Sequence, residues 1–154
     1  MLDNLDLLLT NWFWIGLVST LLCGLVISPV LASLFVEGYN SLGIKKADFN
    51  TRLGSTVHAL IVGLCGLYVL TDPVSFGDKL HSPSRLAECV LQLSLGYFTA
   101  DYILILLDPQ MRKDKGSHAH HFVSFTGVAV SLYYKSLVFF VLYCLINELS
   151  LIHI

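Results

Sequence analysis

In a chain dominated by apolar runs, few side chains can move a proton. Four of them are placed where chemistry could be built: His58, Asp101 and the adjacent pair His120 and His121. An imidazole titrates near neutral pH, so it can both accept and deliver a proton. A carboxylate on one ring nitrogen fixes the tautomer and makes the other nitrogen more basic. Asp101 with His121, or with His120, is the pairing that this pattern suggests. His121, Ser124, Val128 and Ser131 recur at spacings of three and four, which puts them on one helical face. His120 leans onto the same stripe through Ser124 and Gly127. Tyr97 and Ser94 share the helical face of Asp101. A plainer reading stands beside this one: such side chains can simply join helices, at about 0.6 kcal/mol per hydrogen bond on average. That plainer reading suits His58 taken alone, and Glu88 reads as a solvated residue near a membrane boundary.

The elements that hold these residues are membrane helices. Of the 154 residues, 55% are hydrophobic and only 13% charged, against roughly 25% charged in an ordinary soluble domain. The mean hydropathy is +0.73. So few charges cannot cover a water-soluble surface, and a net charge of −2 supplies no basic field for nucleic acid. The fold class expected is an all-α polytopic bundle of about five spans, over 12–36, 53–70, 86–107, 119–134 and 136–152. The first span exceeds the bilayer core and should kink at Pro29, with Trp12 and Trp14 at its interfacial start. Glu37 to Arg52 reads as a polar connection, Thr71 to Arg85 as a loop broken by Pro73, Gly77 and Pro83, and Asp108 to Ser117 as a short charged loop. The last apolar stretch is a hairpin turning at Lys135 or one helix with Lys135 near mid-membrane. The second arrangement costs about 2.5–3.5 kcal/mol, which favours the hairpin. Ser55, Ala59 and Gly63 lie four apart and form a small-residue face suited to helix association, including self-association.

Lys and Arg divide unevenly between the two sides. Lys45, Lys46, Arg52, Arg112, Lys113 and Lys115 fall on one, and Lys79, Arg85 and Lys135 on the other. The positive-inside rule then puts the N-terminus outside or in the lumen and the C-terminus in the cytoplasm. Cys23, Cys65, Cys89 and Cys144 each sit in an apolar run and form no CxxC pair, so they read as small buried hydrophobes. His118-x-His120-His121 is dense in metal ligands, but His58, His81 and His153 are isolated, so no metal is expected. A haem between His58 and His121 has no further support, and no other cofactor is expected. No P-loop, dinucleotide fingerprint or serine elbow is present.

Three stretches together resemble a known family: Asn50-Thr-Arg-Leu-Gly-Ser-Thr-Val-His58-Ala, then Gly96-Tyr97-Phe-Thr-Ala-Asp101, then His120-His121. They are similar to the TLC domain shared by the translocating-chain-associated protein, the longevity-assurance ceramide synthases and the neuronal ceroid lipofuscinosis protein type eight. The resemblance implies a multi-pass protein of the endoplasmic reticulum or another endomembrane, acting in lipid homeostasis. It divides the chain into residues 1–48, an N-terminal helix and cytoplasmic loop, and residues 49–154, a partial TLC domain. The family domain is longer than that stretch, so the chain is expected to be a truncated form. The partner implied is a membrane lipid or acyl-CoA, held in a bundle cavity. His121, Asp101, His120 and His58 are the candidate catalytic residues, and Tyr97, Ser124 and Ser131 the candidate lipid contacts. If there is a reaction, acyl transfer with His121 as general base and Asp101 as its orienter is the form expected. A non-catalytic sensor, transporter or cargo adaptor is the alternative. Ceramide synthesis is not expected: Leu145-Ile-Asn-Glu-Leu-Ser150 lacks the paired carboxylates of that branch.

Overall fold

The computed structural model describes residues 11–71 and 84–147. The loop breakers Pro73, Gly77 and Pro83, together with Glu148 and residues 148–152 of the fifth expected span, lie outside them. The described residues are helical, with no strand among them. Helix α1 (Asn11–Leu22) runs through a wide π-helical turn (Cys23–Ile27) into α2 (Ser28–Phe35). Helices α3 (Lys46–Thr71), α4 (Arg85–Leu107), α5 (Lys115–Tyr134) and α6 (Val138–Asn147) follow. The stretches Asn11–Phe35, Lys46–Thr71 and Arg85–Leu107 are long and apolar enough to cross a membrane. The chain is an all-α membrane bundle. Helices α5 and α6 occupy the places expected for the last two spans.

The irregular turn in the first span follows from Pro29. Proline brings no N–H, so the carbonyl four residues back loses its donor and the helix must readjust. It does so by widening: the Ser28 N–H reaches back to the Cys23 carbonyl.

Two helices begin earlier than the apolar runs suggest. Helix α3 starts at Lys46 rather than Leu53, and α5 at Lys115 rather than Ala119. The extra turns are polar but well made. Arg52 pairs with Asp48 one turn back at 3.0 Å, and the Asp114 carboxylate caps α5 by accepting from the Gly116 N–H at 2.9 Å. A polar turn costs nothing in lipid if it stands outside the hydrocarbon. Before α3, Gly38 (φ 77°) and Gly43 (φ 56°) turn the chain with left-handed backbone that glycine adopts without strain.

The hairpin at Lys135 is present. Lys135 takes the left-handed conformation that ends α5 (φ 50°), and the Ser136 N–H bonds back to the Ser131 carbonyl at 3.2 Å. The Lys135 ammonium lies 3.3 Å from Glu88 at the start of α4, so each offsets the other's charge at that end of the bundle.

Helix α4 is the central element. Most of it is buried, whereas α1 and α3 expose most of their surface to the surroundings. Lipid is as apolar as leucine, so burial of apolar area cannot drive helices together here; close packing must. The closest approach is between α1 and α4. A Cβ added to Gly96 would overlap the Phe13 carbonyl oxygen outright and lie 2.8 Å from the Leu17 nitrogen. One added to Gly16 would overlap the Leu93 carbonyl. The expected Ser55–Ala59–Gly63 face serves the same purpose within the chain. Ala59 and Gly63 are buried in the bundle, and Ser55 bonds to α4. The face therefore makes helix contacts within the chain.

Candidate functional site

The connection between α4 and α5 is short and braced at both ends. Asp108 accepts from the Gln110 and Met111 N–H groups, and Asp114 caps α5. The two helices therefore run back along each other. Asp101 lies six residues before the end of α4 and His121 six residues after the start of α5. Each is about 9 Å from its helix end, so they meet at one depth, near the end that carries Lys45, Lys46, Arg112, Lys113 and Lys115.

The meeting is a hydrogen bond. His121 Nε2 lies 2.6 Å from Asp101 Oδ2, with both side chains buried, and His121 Nδ1 lies 2.9 Å from the Ser117 carbonyl oxygen. A carbonyl can only accept, and an ionised carboxylate can only accept. The arrangement is complete when Nδ1 carries a proton and a second proton sits between Nε2 and Oδ2. The pair as a unit is then neutral, whichever partner holds that second proton. A neutral unit avoids the cost of an isolated buried charge.

Tyr97 ties this pair to α3. Its hydroxyl donates to Ser55 Oγ at 2.8 Å and lies 3.4 Å from Asp101 Oδ2. The His58 ring stacks on the Tyr97 ring, with centroids 3.7 Å apart and planes 8° from parallel. His58 Nε2 is buried and has no hydrogen-bond partner among the described residues. Phe98 closes the cluster, edge-on to both His58 and His121.

Of the expected site residues, the structure thus brings together His58, Tyr97, Asp101 and His121. His120 is exposed on the outer face of α5, its ring edge-on to His121. Ser131 is buried, but its hydroxyl donates to the Ser136 carbonyl at 2.7 Å and secures the hairpin. Ser124 and Ser131 both line a 320 Å³ groove between α5 and α6. The three clustered histidines point apart: His118 Nε2 meets the Arg112 carbonyl at 2.8 Å, His121 meets Asp101, and His120 faces outward. No group of three metal-ligating side chains forms among the described residues. The geometry fits neither a metal on that triplet nor a haem on His121, whose two nitrogens are already hydrogen-bonded to Asp101 and the Ser117 carbonyl.

Beside the pair, a 370 Å³ opening lies between α4 and α5, lined by Phe98, Thr99, Tyr102, Ile103, His121, Phe122 and Phe125. It is apolar apart from the His121 edge and the Thr99 and Tyr102 hydroxyls. Sequence reasoning missed three parts of this site. Ser55 drew notice for its size and not its hydroxyl. The Ser117 carbonyl is a backbone acceptor, which no residue type announces. Tyr102 and Phe98 carry no sequence signal that separates them from the other apolar and aromatic residues of α4.

The TLC domain family profile matches residues 48–154. The chain is 36% identical over 126 residues to TLC domain-containing protein 4-B of Danio rerio, covering 80% of this chain and 48% of that protein. It is 37% identical over 89 residues to TLC domain-containing protein 4 of Homo sapiens, covering 56% of this chain and 34% of that one. The chain spans about half the length, or less, of these curated relatives. No solved structure matches it. With a matching profile over more than half its length and helices able to cross a bilayer, the chain is an integral membrane protein belonging to the TLC domain family.

Proposed function

We propose that this protein acts in lipid homeostasis in the endoplasmic reticulum or another endomembrane, by receiving the acyl chain of a membrane lipid in the opening between α4 and α5. The lipid's polar end would sit at the Asp101–His121 pair, with the basic end of the bundle toward the cytoplasm. The observation that carries this reading is the buried Asp101–His121 hydrogen bond, with the His121 ring lining an opening whose other polar atoms are the Thr99 and Tyr102 hydroxyls. Ionisable residues that persist in a membrane bundle usually face its interior and mark a pathway or a binding site.

Binding is favoured over chemistry because both His121 nitrogens are already hydrogen-bonded within the protein. Acting as a general base would require one of those contacts to open first. Acyl transfer from acyl-CoA, with His121 as base and Asp101 as orienter, is the alternative.

The test uses a clickable, photoactivatable fatty acid fed to cells that express the chain. Crosslinks should map to Tyr102, Phe122 and Phe125, and Ile103→Trp, which fills the opening, should abolish them. Crosslinks spread evenly over the outward faces of α1 and α3, unchanged by Ile103→Trp, would overturn the reading. Incubation of the purified protein with labelled acyl-CoA and acceptor lipids separates binding, which yields no product, from transfer.

A further inference from the structure

The hydrogen bonds of His121 limit what the α4–α5 opening can hold. The His121 ring lines that opening, and Asp101 is not part of its wall, so a ligand there meets His121. Nδ1 lies 2.9 Å from the Ser117 carbonyl, which can only accept, so Nδ1 carries a proton. The nitrogen left to exchange partners is Nε2, now 2.6 Å from Asp101 Oδ2. If Nε2 leaves with the shared proton, an imidazolium and a carboxylate are parted in a buried site, at a heavy desolvation cost. If Asp101 keeps the proton, both groups stay neutral and Nε2 becomes a bare acceptor.

The chain offers a place for the proton that Asp101 keeps. Ser55 Oγ donates to the Thr51 carbonyl at 2.9 Å, so its hydrogen is committed. The Tyr97 hydroxyl donates to Ser55 at 2.8 Å, and its oxygen, 3.4 Å from Asp101 Oδ2, can accept from the carboxyl. Asp101, Tyr97, Ser55 and the Thr51 carbonyl then form one line in which every hydroxyl donates away from Asp101. When His121 changes partner, none of these groups is orphaned, which removes the main penalty on the exchange.

A bare Nε2 calls for an O–H or N–H donor. No charged side chain lines the opening, so a phosphate or quaternary ammonium drawn into it would lose water with no opposite charge to meet. Thr99 gives its hydrogen to the Leu95 carbonyl at 2.8 Å, which makes the Tyr102 hydroxyl the donor in the wall. An acceptor and a donor set in apolar walls are complementary to a hydroxyl and a carbonyl on one lipid. Resting on the reading that the opening receives a lipid, we propose that this lipid has an uncharged polar end pairing an O–H with a carbonyl. Its O–H donates to His121 Nε2, and its carbonyl accepts from Tyr102. A diacylglycerol and a protonated fatty acid share this chemistry.

The experiment reconstitutes the full chain in nanodiscs with diazirine lipids of identical acyl chains: diacylglycerol, fatty acid, phosphatidic acid and phosphatidylcholine. Labelling of Tyr102, Phe122 and Phe125 should be at least about fivefold stronger from an uncharged probe than from either phospholipid, the effect of one neutral hydrogen bond. Labelling by diacylglycerol assigns the donor to an alcohol, and labelling by the fatty acid alone assigns it to a carboxylic acid. Tyr102→Phe should lower labelling by the favoured probe about fivefold and leave labelling by phosphatidylcholine unchanged. Equal labelling by all four probes would overturn the assignment of the polar end while leaving the acyl-chain site standing. Preference for either phospholipid, or an unchanged preference in Tyr102→Phe, would overturn it too. Labelling by none of the probes in the opening would overturn the lipid site itself.

Discussion

Asp101→Asn and Asp101→Ala should behave very differently, because the two substitutions leave different protons at His121. In the parent, Nε2 lies 2.6 Å from Oδ2 and Nδ1 faces the Ser117 carbonyl, contacts that are satisfied with one proton between Nε2 and Oδ2 and one on Nδ1. Asparagine is nearly the same shape and its amide can donate. A neutral His121 with its proton on Nδ1 can then accept from it, and every polar group stays satisfied. The change replaces a charge-assisted bond, about 1.5–3 kcal/mol, by a neutral one of about 0.5–1.5 kcal/mol, so Asn should cost about 1 kcal/mol. Alanine leaves Nε2 facing nothing. Side-chain exposures of 7% for Asp101 and 11% for His121 admit little water to compensate. Its cost should approach about 3 kcal/mol, the upper end for an orphaned buried polar group. Unfolding free energies in mixed micelles titrated with a denaturing detergent would give the two costs. Nitrogen-15 spectra of histidine-labelled protein would report the protonation of each ring atom. Equal costs for Asn and Ala would refute the reasoning, as would an Nε2 that stays protonated in Asp101→Asn.

Two further outcomes follow from the geometry. Gly96→Leu should separate α1 from α4, since even a Cβ there overlaps the Phe13 carbonyl; we expect at least about 1–3 kcal/mol of destabilisation and loss of a Phe13–Gly96 neighbour crosslink. A stable variant that keeps the crosslink would contradict that close approach. The Asp114 carboxyl is held below its ordinary value of 3.8 by the Ser117 hydroxyl and by the Gly116 and Ser117 N–H groups. Its capping of α5 is therefore fully present above pH 3.8 and lost as the pH falls through the lower folded value. Protection of the amides in the first turn of α5, taken relative to their intrinsic exchange rates, should fall below pH 3.8 in the parent, and Asp114→Asn should remove that dependence.

The apolar runs made the helices legible, because lipid demands long stretches without charge. They could not show the polar turns of Lys46–Arg52, which depend on an Asp48–Arg52 pair and not on hydropathy. Asp101 and His121 stood out because ionisable groups are rare on such helices. That they meet Nε2 to Oδ2 with Ser117 behind was not legible, since it depends on where α5 begins. Nor was the stacking of His58 on Tyr97, which requires the rotation of α3 against α4 to be known. The contact of α1 with α4 at Gly16 and Gly96 was the least visible of all. A lone glycine in an apolar run says that something can come near, not what does.

That contact has a bearing on how the protein is made. Gly96 is synthesised eighty residues after Gly16, which at ribosomal speeds of about 5–20 residues per second is a delay of roughly 4–16 s. Throughout that interval the first span resides in the bilayer without its main partner, and α3 must be inserted before the partner arrives. A soluble domain holding an apolar helix in reserve for so long would invite aggregation. Here the acyl chains solvate it, so the order of synthesis and the order of assembly are free to differ.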